Sequence, residues 1–289
     1  SGDYSRLPEL AREMVAEFAD KRVKVSLPSL RIDSVVGDAL KETQKVRKTA
    51  LTYAPEAGTQ RLRDVINKGV TEEDLIRSVT EAFESGWSAV KLYFMLGLPT
   101  ETDEDVQGIA ELAAKVRACY LSVPKEKRAP GLRITVSASV FVPKPFTPFQ
   151  WAPQISRAEV SRRQAHLRAA LAKVKGVDFK YHAPDLSYVE AIFARGDRRV
   201  ADVLEKAWKL GCRFDGWSDQ FRFDLWMRAF EETGVDADFY ATRPRAAEEV
   251  FPWEHLDAGV TRAYLASELD KALRGETTQD CRKGRTGCG

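Results

Sequence analysis

Strand-like runs alternate with helical patterns along the first half of the chain, and this alternation limits the fold more than any other feature. Val23–Leu27, Thr49–Tyr53, Ala89–Met95 and Arg133–Phe141 are rich in β-branched and aromatic residues. Between them lie helical patterns with start signals. Val35–Lys45 is the first; Thr71-Glu72-Glu73-Asp74 opens the second over Leu75–Glu84, and Thr102-Asp103-Glu104-Asp105 opens the third over Val106–Tyr120. A threonine followed three residues later by a carboxylate is a capping-box signature, and Gly86 stands where a helix stop belongs. Strand–helix–strand repetition of this kind predicts βαβ units and a parallel sheet. The nearly all-apolar run Ala89–Met95 predicts a sheet covered on both faces. Some four units fit into roughly 150 residues, whereas a full eight-fold barrel takes about 250. The reading is an incomplete barrel or an open sheet.

The second half has another character. Ser156 caps a helix reaching to about Lys175, and Val177–Tyr181 reads as an edge strand. Helical patterns follow at Leu186–Arg195, Arg199–Leu210, Phe223–Thr233 and Thr261–Leu273. Trp208, Trp217, Trp226 and Trp253 fall in this half, where large aromatics at helix junctions are expected to close a small helical core. The stretch Gly275–Gly289 is polar, basic and expected to be mobile.

Charge excludes some roles. Lys and Arg number 45 against 43 Asp and Glu, a net charge of +2 that gives no support to a protein built mainly to hold nucleic acid. No run of eighteen apolar residues is present and the N-terminus has no apolar signal core, so a cytoplasmic chain is expected. The four cysteines, Cys119, Cys212, Cys281 and Cys288, are too scattered for a disulfide framework, and buried thiols are expected at Cys119 and Cys212.

In parallel β/α architectures ligands bind in the loops that leave the C-terminal ends of strands. The first loop offers Arg31 and Asp33, a cation and an acceptor. The second offers Glu56, Ala57, Gly58 and Thr59, a carboxylate and a tight turn at a helix start, suited to an amine or to ribose hydroxyls. The third offers Gly97, Leu98 and Pro99, where glycine lets a flat ring approach the backbone. The fourth, Val142–Trp151, is rich in proline and aromatics and reads as a semi-rigid lid. Arg31 with Asp33 also fits a solvated ion pair, and Glu56 also fits a helix cap. His166, His182 and His255 are separated and make no metal-ligand spacing.

The succession VSLPSLRID, LTYAPEAGTQRLRDVINKGVTEEDL, VKLYFMLGLPTETDEDV and SVFVPKPFTPFQW resembles the second half of a radical S-adenosylmethionine domain. It is similar to the methylthiotransferase-like branch and its cobalamin-binding relatives. The match covers about residues 1–152, and DLSYVEAIFARGDRR with CRFDGWSDQFRFDLW looks like the extension those relatives carry. The resemblance implies an α/β fold, the C-terminal part of a partial (β/α)6 TIM-like barrel over 1–152. A mainly helical extension over 153–274 and a flexible Cys-containing tail over 275–289 follow it.

It implies S-adenosylmethionine cleaved reductively at a [4Fe–4S] cluster to begin radical chemistry such as methylation or methylthiolation. Glu56, Ala57, Gly58 and Thr59 would contact the methionyl or ribose part, with Arg31 and Asp33 near the same part. Gly97, Leu98, Pro99 and Val142 would flank the adenine. The cluster ligands, C-x3-C-x2-C, are absent from the first 280 residues and are expected upstream of residue 1, as is any cobalamin domain. The N-terminal remainder of the same protein would thus be a partner, and this piece alone would be inactive. The substrate class is open between RNA and a small molecule. Cys281 and Cys288 form a partial echo of the cluster spacing and are weak metal candidates. Two further readings stand beside this one: a degenerate barrel serving as a docking module, and a conventional β/α-barrel metabolic enzyme. The latter is weakened because Lys91 lies inside its strand.

Overall fold

The computed structural model describes Tyr4, residues 6–18, Lys21, residues 50–281, Gly284 and Gly287. The expected strand Val23–Leu27, the helix Val35–Lys45, and residues Arg31, Asp33 and Cys288 lie outside the described residues. The chain divides into two compact units, one of residues 1–95, 102–139 and 165–181, the other of 96–101, 140–164 and 182–289.

The first unit is built on a four-stranded sheet in the order β1 (Leu51–Glu56), β2 (Ala89–Leu96), β3 (Arg133–Val140), β4 (Val177–Tyr181). The pairs β1–β2 and β3–β4 run parallel, Leu51 beside Val90 and Ile134 beside Val177. Between β2 and β3 the amides of Arg133 and Phe141 donate to the carbonyls of Ser88 and Leu96, each at 2.8 Å. The same residue offset at both ends is that of a parallel pair.

Period-two alternation buries Val90, Leu92, Phe94 and Leu96 of β2, with Ile134, Val136 and Ala138 of β3, on one face. The helices α3 (Glu72–Glu84) and α4 (Asp103–Ser122) bury apolar stripes of their own, including Leu75, Val79 and Phe83 of α3 and Ile109, Ala113 and Val116 of α4. Phe83 meets Tyr120 edge to face, with centroids 5.4 Å apart. The opposite face corrects the expectation of a sheet covered twice over: Thr52, Lys91, Thr135 and Ser137 are half-buried and Tyr93 is exposed. Lys91 Nζ lies 2.6 Å from the hydroxyl of Tyr93. The run Ala89–Met95 is apolar in sum, but its polar members share one parity, and parity decides the face.

Both capping boxes form as the spacing predicts, Thr71 with Asp74 and Thr102 with Asp105. Gly86 has φ 83°, just past the end of α3. The strand β1 runs on through Pro55 to Glu56, beyond the expected end at Tyr53, because the ladder shifts register between Tyr53 and Glu56 and needs no N–H from the proline. Helix α1 (Leu7–Phe18) was not anticipated, although its buried Leu7, Ala11 and Val15 recur every four residues.

The second unit is helical: α6 (Pro184–Arg195), α7 (Val200–Leu210), α8 (Phe223–Thr233), α9 (Ala237–Ala241) and α10 (Arg262–Arg274). The remaining helices are the short α2 (Gln60–Val65) in the first unit and α5 (Arg157–Leu171). One cluster packs Val142, Tyr188, Ile192, Val203, Trp226, Phe230 and Tyr240, and another packs Trp151, Phe251, Trp253 and Leu265. Trp226 and Trp253 thus close a core as expected, but Trp208 and Trp217 are 58% and 69% exposed. The stretch Val142–Trp151 is no lid: Phe149, Gln150 and Trp151 are buried in a turn of 3-10 helix, Pro148–Trp151. Cys212 is buried, whereas Cys119 is only half-buried near the end of α4.

Candidate functional site

The turn that leaves β1 carries four of the sequence-predicted residues, and the structure gives each a definite role. Glu56 has φ 68°, a left-handed conformation that costs a non-glycine residue on the order of 1–3 kcal/mol. Its carboxylate is about one-quarter exposed and lies 3.1 Å from Lys68 Nζ. Ala57 is fully buried, and its carbonyl accepts from Arg63 Nη1 at 3.0 Å. The remaining Arg63 donors reach Gln60 Oε1. Thr59 caps α2, its hydroxyl accepting from the Leu62 amide at 3.2 Å and donating to Asp105.

Asp105 locks this turn to α4. Its side chain is 2% exposed and accepts from Thr59, from Arg61, and from the Thr102 amide at 2.8 Å. Burial alone would raise the Asp105 carboxyl. The hydrogen bonds from Thr59 and Thr102 and the Arg61 guanidinium outweigh it and hold the group below the usual carboxylate range. With Thr59 and Asp105 satisfied by each other, the turn presents the Glu56 carboxylate with Lys68 beside it.

In the second unit Gly97, Leu98 and Pro99 form the turn after β2. Gly97 has φ 88°, and its amide donates to Glu101 Oε2 at 2.7 Å. The Glu101 amide returns to the Leu98 carbonyl at 3.0 Å. Proline second and Thr100 third, with φ 65°, is the pattern of a type II turn. The Glu101 carboxylate is 1% exposed and paired with Arg163, which also holds Glu159 at 2.7 Å. Burial would lower the Arg163 guanidinium, but Glu159 and Glu101 more than reverse this. Leu98 is buried, Pro99 half-buried, and Val142 sits in the helical core cluster.

The structure therefore gathers Glu56 through Thr59 in one turn of the first unit. It places Gly97 through Pro99 in a turn of the second unit and Val142 within that unit's apolar core. Cys281 is exposed. Among the described residues no three His, Cys, Asp or Glu side chains come together to hold a metal ion. Asp105, Glu101, Arg163 and Arg63 were not singled out from sequence. Asp105 had a signal, three residues after the cap in a capping box; the others are ion-pair and carbonyl partners visible only in the folded chain.

Among the described residues no helix is long and apolar enough to cross a membrane. Over 236 residues the chain is 30% identical to an uncharacterized protein of Methanocaldococcus jannaschii, an alignment covering 81% of this chain and 48% of that protein. The chain thus spans about half the length of that relative. Residues 2–113, which contain β1, the Glu56–Thr59 turn, β2 and most of α4, match the Radical SAM superfamily.

Proposed function

We propose that this chain is part of a radical S-adenosylmethionine enzyme and that the turn after β1 binds the amino or ribose end of S-adenosylmethionine. The observation that carries this reading is Glu56. It is a carboxylate held in a left-handed conformation at the C-terminal end of a parallel strand, within the segment similar to the Radical SAM superfamily. Strand ends of this kind are where β/α folds hold ligands, and strained backbone concentrates at binding sites. Thr59 and Asp105 position the turn by hydrogen bonding and are not themselves assigned to the ligand. The adenine contacts that the motif resemblance implies for Gly97, Leu98, Pro99 and Val142 belong to the second unit and form a separate part of the proposal.

When bound and cleaved reductively, S-adenosylmethionine supplies a 5′-deoxyadenosyl radical. That cleavage takes a [4Fe–4S] cluster, and the described residues do not fit one: Cys119, Cys212 and Cys281 are not gathered, and no other ligand group replaces them. The role of the described residues is to bind and orient. The finer assignments, methylation or methylthiolation and a cobalamin-dependent branch, rest on the motif resemblance.

Titration calorimetry of S-adenosylmethionine into the chain and its Glu56→Gln variant tests the reading. Losing a charge-assisted hydrogen bond should weaken binding about tenfold or more. Equal affinity in the two proteins would remove Glu56 from the site.

A further inference from the structure

Arg195 and Arg245 bring two guanidinium groups into the interior of the second unit, at 1% and 7% exposure. Both are fixed by backbone carbonyls. Arg195 Nη1 donates to Ala241 at 2.9 Å, and Arg245 Nη2 donates to the carbonyl of Arg195 itself, also at 2.9 Å. The Arg245 amide donates to the carbonyl of Trp151 at 3.0 Å. The Arg245 guanidinium lies 5.3 Å from the ring centres of Phe251 and Trp253, and the Trp151 ring is 5.9 Å from that of Phe251.

Four buried side-chain donors in this cluster have no partner among the described residues: Nε and Nη2 of Arg195, Nε of Arg245 and Nε1 of Trp151. All of them donate. Nε and Nη2 form one edge of a guanidinium, the edge that grips two oxygens of an oxyanion side by side. Buried polar groups are almost always bonded, so four orphaned donors on three residues tied together by hydrogen bonds point to a missing acceptor.

Charge gives the same answer. Burial, then the neighbouring Arg245 and Arg243, pull the Arg195 guanidinium down to about 10, which leaves it cationic at neutral pH. Glu249 is near enough to act on both buried arginines, but its two oxygens are taken by Arg243 at 2.7 and 2.8 Å. Asp197 is likewise engaged by Arg199. Among the described residues the buried pair has no counterion of its own, a costly arrangement unless an anion supplies it.

We propose that Arg195, Arg245 and Trp151 form a buried binding site for a tetrahedral oxyanion of the phosphate class. A planar carboxylate would satisfy the Arg195 edge alone. Donors on two further side chains require oxygens that point elsewhere, as those of a tetrahedral anion do. The rings of Phe251 and Trp253 exclude water and strengthen each of these bonds. The site is independent of S-adenosylmethionine binding. Its occupant is either the free anion or the phosphate group of a larger molecule.

Thermal unfolding of the 289-residue chain in sodium phosphate, sulfate and chloride at matched ionic strength tests the proposal, with calorimetric titration of phosphate and of adenosine monophosphate. Phosphate and sulfate should raise the midpoint saturably, by about 5 °C at a hundredfold excess over Kd, and chloride should not. Trp151→Phe removes one donor and keeps an aromatic ring; it should weaken phosphate binding severalfold, and Arg195→Lys, which loses the two-pronged edge, at least tenfold. Tighter binding of the nucleotide than of phosphate would identify a phosphorylated ligand as the source; equal or weaker binding would identify the free anion. Absence of any stabilisation or heat beyond chloride would overturn the site and leave the donors to buried water. Undiminished phosphate affinity in Trp151→Phe would overturn it as drawn, even if Arg195→Lys fails to fold.

Discussion

Gly58 and Gly108 pack backbone against backbone, joining the turn after β1 to the first half of α4. A Cβ on Gly58 would stand 2.2 Å from the Asp105 carbonyl oxygen and 2.5 Å from the Ile109 nitrogen, whereas one on Gly108 would stand 2.9 Å from Thr59 Cγ2 and 3.0 Å from the Gly58 oxygen. Glycine at position 58 therefore serves helix packing, whatever it offers a ligand. Gly58→Ala meets fixed backbone and should destabilise the chain by about 3 kcal/mol or more, at the upper end of overpacking costs. Gly108→Ala meets the Thr59 methyl and the Gly58 carbonyl less closely and gains about 1 kcal/mol of helix propensity, so its net cost should be smaller than that of Gly58→Ala. Urea unfolding of the two variants checks the order, and equal costs would contradict the asymmetry.

Glu101 and Arg163 form the buried ion pair that holds the Gly97 turn. Glu101→Gln keeps a carbonyl for the Gly97 amide and the backbone carbonyl that Arg163 also reaches, but removes the buried charge opposite Arg163, and a loss of about 2–4 kcal/mol is expected. Glu159→Gln, whose side chain is 31% exposed, should cost about 1 kcal/mol or less. Midpoints from urea titrations of the two variants would settle the ranking. A larger loss in Glu159→Gln would show that the buried partner is not the one that matters.

Acid should unfold this protein through carboxylates held low in the folded state. Hydrogen bonds from Arg162 and Arg163 bring Glu159 to about 2, and Arg199 with help from Tyr240 brings Asp197 to about 2. Asp105 is lowered as well. Groups with depressed folded values stabilise above their unfolded values and lose that contribution as pH falls through the folded ones. The unfolding midpoint should therefore be insensitive to these groups from about pH 6 to 8 and decline from about pH 4.5 toward 2. Asp197→Asn should flatten the decline in a differential scanning series; an unchanged slope would exclude Asp197 from the acid transition.

Much of the scaffold was legible from neighbouring residues. Thr71 with Asp74, and Thr102 with Asp105, announce helix starts because the capping hydrogen bonds close within three residues. The strands of the described parallel sheet, including Val177–Tyr181 at its edge, could be read from runs of apolar, β-branched and aromatic residues. Which face of β2 would be covered could not be read from the apolar count, and only the parity of Lys91 and Tyr93 against Leu92 and Phe94 separates the two faces.

The sequence by itself determined the local elements, since a cap or a strand pattern is satisfied by residues a few positions away. The tertiary structure alone decided which side chains lost water. Trp217 and Trp226 fall in the same aromatic-rich stretch of sequence, yet Trp226 is 4% exposed and Trp217 69%. Thr59 meets Asp105 across 46 residues, and Arg163 meets Glu101 across 62. The strengths of such pairs, and the orphaned donors of Arg195 and Arg245, come from burial and from distant partners, which no local pattern encodes.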